Sequence, residues 1–136
     1  MNIRTTAVVM AVAAATLAGA AVSHAQPTPA NAVTVYFTTP LENDPSRVVR
    51  LQTVSTPRGG GNSFHRHPGD QWAAIQEGEV TFTIKGQPPR VLKAGDSVYI
   101  PRGTVHRNQN LGDKPSRSIE LNIIDKDKPA LDLVPD

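Results

Sequence analysis

From Ala32 onwards, hydrophobic and polar residues alternate with the two-residue period of β-strands, and there is almost no sign of the 3.6-residue period of a helix. In Glu79–Lys85, Val80, Phe82 and Ile84 occupy one face, and the threonines between them occupy the other. Isoleucine and leucine alternate with polar residues in Arg117–Ile124. Both segments therefore predict strands with two chemically different faces.

Further short runs of β-forming residues follow one another along the chain, separated by glycine- and proline-rich turns. These runs are Ala32–Thr38, Arg47–Ser55, Gln71–Gln76, Arg90–Lys93, Ser97–Ile100 and Val105–Gln109. About eight short strands in about 90 residues predict an all-β sandwich or jelly-roll barrel.

The amino-terminal segment has the pattern of a secretory signal. Arg4 lies before the uncharged run Ala7–Val22, which ends at the small-residue site Ser23-His24-Ala25. A retained membrane anchor is the alternative, but the run is shorter than the roughly 20 apolar residues that a span requires. We expect residues 1–25 to be a signal peptide, 26–40 a leader and first strand, and 41–136 the main domain of a periplasmic or secreted protein.

Charge and cysteine content exclude several classes of function. Removal of 25 residues leaves 136 − 25 = 111, with 13 Lys and Arg against 12 Asp and Glu, because Arg4 is lost from the 14. A net charge of 13 − 12 = +1 without a basic cluster does not indicate nucleic-acid binding. The absence of cysteine excludes a disulfide scaffold, a cysteine zinc site and a cysteine nucleophile.

Three histidines remain in the main domain, and their spacing suits a metal site. His65 and His67 are two residues apart, so on a strand both rings point to the same side. His106 lies on a later strand, from which it could close the site from across the barrel. Because imidazole suits Fe, Zn, Ni and Cu, the three residues predict one divalent metal ion.

These histidines stand in two segments with regular spacing. The first has Gly59, five residues, His65-Arg66-His67, three residues, Gln71, six residues and Gly78. The second has Gly95, five residues, Pro101-Arg102-Gly103, two residues, His106, three residues and Asn110. Together they resemble the two motifs of small single-domain bacterial cupins of type 2, which are quercetin-dioxygenase-like. The resemblance implies the cupin double-stranded β-helix, with Fe(II), or else Mn, Ni or Zn, in the barrel mouth.

Gln71 departs from this family pattern, because glutamate usually stands at the fourth ligand position. The amide oxygen of Gln71 could still coordinate, so that the expected metal-binding residues are His65, His67, Gln71 and His106. Alternatively, Gln71 orients an imidazole from behind. A site without a carboxylate should favour an anionic substrate, and three-histidine iron sites occur in cupin dioxygenases.

The expected function is a dioxygenase-like oxidoreductase that acts on a small metal-chelating substrate. No general base is evident in the sequence, and the catalytic residues are unknown. The alternatives are a non-catalytic periplasmic protein that binds a metal or small ligand, and a metal-dependent isomerase or lyase. We expect a homodimer, because the strand Ala32–Thr38 would offer a free edge and dimers are common in the resembled family.

Several other side chains are expected to have structural roles. Arg66 lies between two inward histidines and should face solvent, as should Arg102 and Arg107. Asn110 should cap a turn. The aromatic residues expected in the core are Phe64, Trp72, Phe82 and Tyr99.

Overall fold

The computed structural model describes residues 28–135, and the predicted signal peptide lies outside the described residues. Ten strands make up this part of the chain, and it contains no helix. The strands are β1 (Ala32–Leu41), β2 (Asp44–Thr56), β3 (His65–Arg66), β4 (Gln71–Glu77), β5 (Glu79–Ile84), β6 (Arg90–Lys93), β7 (Ser97–Ile100), β8 (His106–Gln109), β9 (Ser116–Asp125) and β10 (Asp132–Leu133). All eight predicted strands are present, and β3 and β10 were not predicted.

The strands form two five-stranded sheets. The first has the order β1-β2-β9-β4-β7, and the second has the order β10-β3-β8-β5-β6. All pairings are antiparallel, and consecutive strands often lie in different sheets. This topology confirms the all-β prediction of a double-stranded β-helix. A search of the described residues for a helix able to span a bilayer finds none.

The apolar core is small. Its buried members are Ile75, Val80, Phe82, Leu92 and Ile100, against which Ile84 and Val98 pack. The alternating face predicted for β5 supplies three of these residues. Phe82, with 2% of its surface exposed, also packs on the His106 ring at a centroid distance of 5.5 Å. The core therefore borders the histidines directly.

Strand β9 presents its polar face to the barrel interior. Its buried positions are Ser116, Ser118, Glu120, Asn122 and Ile124, whereas the residues between them are half-buried on the outer side. The predicted alternation is therefore present, and the interior side of this strand is mostly hydrophilic. Ser118 donates a hydrogen bond to Glu120 on this face, so this strand brings polar groups beside the histidines.

Two glycines allow the chain to enclose this interior. Gly69 lies against β9 so closely that a Cβ atom there would be 1.6 Å from the carbonyl oxygen of Ile123. Gly78 has a positive φ of 69° in the turn between β4 and β5, a conformation that side-chain-bearing residues avoid. Gly69 therefore determines how closely the loop after His67 approaches the first sheet.

Candidate metal centre

The three predicted histidines lie together on the inner side of the second sheet. His65 in β3 is the direct cross-strand partner of His106 in β8, and His67 follows β3 by one residue. Their ring centroids are 4.4 Å apart for His65 and His106, 4.9 Å for His65 and His67, and 5.3 Å for His67 and His106. One nitrogen from each ring lies within 4.8 Å of the others. The predicted cluster is confirmed, although His106 approaches from the neighbouring strand and not from across the barrel.

Backbone carbonyls fix the orientation of all three rings. The Nδ1 atoms of His65, His67 and His106 lie 2.9, 2.8 and 3.0 Å from the carbonyl oxygens of Ser63, Ala130 and Thr104. A carbonyl oxygen can only accept, so each Nδ1 carries the proton and donates it. Each Nε2 is then left with a free lone pair, which is the form that binds a metal ion.

Burial keeps these rings neutral. Desolvation lowers the pKa of His65 and His67, and it lowers the pKa of His106 to about 4. His106 has no exposed surface, and the neighbouring rings of His65 and His67 further disfavour a positive charge on it. Neutral imidazoles with buried, unpaired Nε2 atoms on His67 and His106 are suited to a cation.

Gln71 approaches the histidines from the opposite sheet. It begins β4, 3% of its surface is exposed, and its Oε1 atom is buried without a hydrogen-bond partner. Gln71 lies near enough to His67 to raise the pKa of that ring through a hydrogen bond. When the His67 ring is neutral, its Nε2 and the Gln71 Oε1 are both acceptors, and a cation placed between them can take a lone pair from each. The four predicted residues thus fit a bound metal ion.

Glu120 is a buried carboxylate beside this cluster that the sequence analysis did not identify. It lies on the inner face of β9 with 7% of its surface exposed. Its Oε2 accepts hydrogen bonds from Gln52 Nε2 at 3.0 Å and Gln71 Nε2 at 3.1 Å, and its Oε1 accepts one from Ser118 Oγ at 3.1 Å. Burial raises the pKa of Glu120, and these donors together with His65 counteract that effect. The feature of the sequence that could have identified Glu120 is its position, because it is a glutamate at an alternating position of a buried strand.

A cavity of about 380 Å³ opens beside the candidate site. Its lining includes the polar side chains of His65, His67, Gln71 and Glu120 together with many apolar side chains. The apolar part of the lining comes mainly from Val54, Ile75, Val80, Leu92, Val98 and Ile100. A mostly apolar cavity with a few convergent polar groups is typical of small-molecule sites.

Other predicted residues are distributed as follows. Arg66 is exposed, as predicted, and pairs with Asp132 at 3.6 Å. Asn110 is fully buried and caps its loop, because it donates to the carbonyls of Thr56 and Lys114 and accepts from the Gly112 amide.

The aromatic predictions are only partly correct. Phe82 lies in the core, whereas Trp72 and Tyr99 are 40% and 51% exposed and stack on each other on the outer face of the first sheet. Their positions on β4 and β7 alternate with the inward-facing residues, so the barrel directs them outward. Phe64 is half-buried beneath the Arg107 guanidinium, which lies 4.6 Å from its ring centre.

The two antiparallel sheets and the three-imidazole cluster between them define a barrel protein with a candidate metal centre. The profile of the cupin domain matches residues 52–122, which include His65, His67, Gln71, His106 and Glu120. The chain belongs to the cupin family. This membership confirms that the two histidine-bearing segments are those of a small cupin.

Among characterised proteins, the chain is 37% identical over 68 residues to dimethylsulfoniopropionate lyase DddQ of Ruegeria pomeroyi. This match covers 50% of the chain and 33% of DddQ. The chain spans less than half the length of the curated relatives it matches.

Solved structures support the same fold. A cupin-like protein of Thermotoga maritima superposes with a TM-score of 0.65 at 25% identity, covering 76% of this chain and 75% of that one. Crystalline DddQ gives 0.61 at 28% identity, over 76% and 51% of the two chains. An oxalate oxidase in complex with the substrate analogue glycolate gives 0.58 at 25% identity, over 76% and 55%.

Proposed function

We propose that the protein binds one divalent metal ion through Nε2 of His65, His67 and His106, with Gln71 Oε1 as the fourth protein ligand. The observation that supports this assignment most strongly is the set of buried lone pairs on His67, Gln71 and His106 that have no protein partner. Fe(II) is the ion proposed first, and Mn, Ni and Zn suit the same donors. The neutral donor set binds without releasing protons at neutral pH, since burial keeps the rings deprotonated.

The proposed activity is a dioxygenase-like oxidation of a small, anionic substrate that chelates the metal. When bound, the metal would supply Lewis acidity and a binding place for dioxygen. The cavity of about 380 Å³ suits a small molecule held against its apolar lining. Electrons would come from the substrate, and the chain's own residues would bind it, orient it and exclude water.

The surroundings of Glu120 favour this activity over one that needs a strong base. Glu120 is the single carboxylate among the described residues that line the cavity, and three donors already occupy it. Both tyrosines lie on β1 and β7, away from the cavity lining. An anionic substrate that needs no deprotonation is therefore the best match to this site.

Oxygen consumption tests the proposed activity. We expect the Fe(II)-loaded protein to consume oxygen with at least one member of a panel of diketones, thiols and flavonols. His65→Ala should abolish the uptake, whereas Arg66→Ala should leave it unchanged, because Arg66 is exposed and points away. Metal binding without oxygen uptake on any of these substrates would contradict the oxidation and leave a metal- or ligand-binding protein.

A metal-dependent lyase is the second candidate, favoured by the 37% identity to DddQ over 68 residues. Cleavage of dimethylsulfoniopropionate by the metal-loaded protein, without oxygen uptake, would select this activity. A carbonyl substrate isomerised without oxygen would select the isomerase alternative. Anaerobic assays of the same preparations separate both activities from the oxidation.

We further propose that residues 1–25 direct export and that the mature protein, starting at Gln26, is periplasmic or secreted. The basic start, the apolar run and the small-residue site support this proposal. The mass of the protein recovered from a periplasmic fraction tests it. A full-length chain retained in the cytoplasm would contradict it.

We also propose that the protein is a homodimer, in which a second copy packs on the outer face of the first sheet. One row of large apolar residues crosses all five strands there, through direct pairings of Phe37, Leu51, Leu121, Trp72 and Tyr99. The ion pairs Arg47–Asp125 and Arg117–Glu77 flank this outer row on its two sides, farther along the strands in each direction. An apolar centre with a polar rim is typical of protein interfaces, and a two-fold contact would match the row with itself.

Small-angle scattering tests the dimer through its mass. We expect twice the chain mass for the wild type and a monomeric mass for Trp72→Glu, which places a charge within the outer row. Val91→Glu, on the edge strand of the other sheet, is a matched control with 53% exposure. A monomeric wild type would contradict the dimer.

A further inference from the structure

Gln71 brings no charge to the candidate metal centre, yet a carboxylate lies immediately behind it. The Nε2 atom of Gln71 donates to Glu120 Oε2 at 3.1 Å. An amide that uses its nitrogen in this direction must turn its oxygen in the other direction, and Oε1 is the atom left buried without a partner. Gln71 thus connects the buried Glu120 carboxylate, through its amide nitrogen, to the histidine side of the site, where its amide oxygen lies.

Glu120 is held in place from both of its oxygens. Gln52 Nε2 donates to Oε2 at 3.0 Å, and Ser118 Oγ donates to Oε1 at 3.1 Å. Every one of its partners is a donor, so the carboxylate acts only as an acceptor. Glu120 and Gln71 lie on neighbouring strands, because Gln71 pairs with Asn122, two residues from Glu120. Their contact is therefore fixed by the register of β4 and β9.

We propose that Glu120 is a positioning residue for the metal centre: it holds the Gln71 amide with Oε1 towards the histidines and places the compensating negative charge one hydrogen bond behind the fourth ligand. This inference rests on the proposed metal binding by His65, His67 and His106. The neutral residue at the fourth ligand position is thereby explained, because the carboxylate lies one side chain farther from the histidines, behind Gln71. A hydrogen bond to a carboxylate also makes the amide oxygen a stronger donor to a cation.

The test compares Zn²⁺ affinities, measured by competition with a chromophoric chelator. Glu120→Gln keeps the shape and removes the charge, and we expect it to weaken Zn²⁺ binding by about 10- to 100-fold, as changes behind a ligand do. Ser118→Ala is the matched control, because it removes a donor to the Glu120 oxygen that does not contact Gln71. We expect Ser118→Ala to stay within about threefold of the wild type.

An exchange of the two residues gives the sharper result. Gln71→Glu combined with Glu120→Gln keeps the total charge and puts the carboxylate at the fourth position, with the amide behind it. We expect this double variant to bind Zn²⁺ at least as tightly as the wild type, and the visible spectrum of its Co²⁺ form to show an altered ligand set. A purely structural role for Glu120 would lower the urea stability of the metal-free single variant and leave its Zn²⁺ affinity unchanged.

The outcomes separate this inference from the proposed metal binding. A wild type that binds no Zn²⁺ overturns the metal site itself. A wild type that binds Zn²⁺, together with a Glu120→Gln variant within twofold of it, overturns the role of Glu120 alone. A double variant no tighter than Glu120→Gln also overturns it.

Discussion

The buried histidines should make the metal-free protein lose stability as the pH falls. The ordinary pKa of histidine is 6.5, and burial lowers that of His106 to about 4 in the folded chain. Between these values the unfolded chain binds a proton at this position and the folded chain does not. The free energy of unfolding therefore falls as the pH falls from about 6.5 towards 4, and this contribution is constant above that range.

The size of the effect follows from the separation of the two pKa values. Since one pH unit corresponds to 1.36 kcal/mol for one proton, His106 alone should remove ~2 kcal/mol by pH 5 and ~3 kcal/mol by pH 4. The lowered pKa values of His65 and His67 act in the same direction. Glu120 acts in the opposite direction, because its raised pKa means that the folded chain binds its proton at a higher pH than the unfolded chain.

Urea unfolding followed by circular dichroism measures this loss, in the presence of a chelator at pH 7, 6 and 5. His106→Gln removes one titrating ring and keeps the other groups. Between pH 7 and 5, the free energy of unfolding of this variant should therefore fall by ~2 kcal/mol less than that of the wild type. The difference between the two proteins isolates His106 from Glu120. Equal losses in both proteins would refute the assignment of a neutral, desolvated ring.

Three further predictions concern the loops and the bound ion. Asn110→Ala leaves three backbone groups without their partner, so urea unfolding should show a loss of ~3–5 kcal/mol; a loss below ~1 kcal/mol would contradict the capping role. Gly69→Ala should give no soluble folded protein, because its Cβ would meet the Ile123 carbonyl at 1.6 Å. Gly86 lies in open space with φ +82°, so Gly86→Ala should fold, and its free energy of unfolding should be lower by ~1–2 kcal/mol. Zn²⁺ at 100 times its dissociation constant should stabilise the wild type by ~2.7 kcal/mol and should not stabilise His65→Ala; equal stabilisation of both would place the ion elsewhere.

Local sequence pattern was sufficient to predict eight of the ten strands and the common side of His65 and His67. The two-residue period of β5 and the turn residues around it place Val80 and Phe82 in the core, as the structure shows. The i, i+2 spacing brings His65 and His67 to one side. Both rest on geometry that neighbouring residues determine by themselves.

Long-range pairing determines what could not be predicted. The two-residue strands β3 and β10 depend on pairings with distant residues, because Arg66 and His65 pair with Asp132 and Leu133, and His65 also pairs with His106. The alternation in β9 shows that the strand has two faces, but the closure of the barrel decides that the face carrying Glu120 lies inside. The exposure of Trp72 and Tyr99 has the same origin, since the inward positions beside them are filled by other residues.

The metal content of reconstituted protein tests the three-histidine centre most directly. The mature chain would be loaded with Zn²⁺, desalted and analysed by inductively coupled plasma mass spectrometry. We predict about one ion per chain for the wild type and for Arg66→Ala, whose side chain is exposed between the two histidines. We predict almost none for His65→Ala combined with His106→Ala. A metal-free wild type, or a double variant that retains the same metal content, would contradict the assignment.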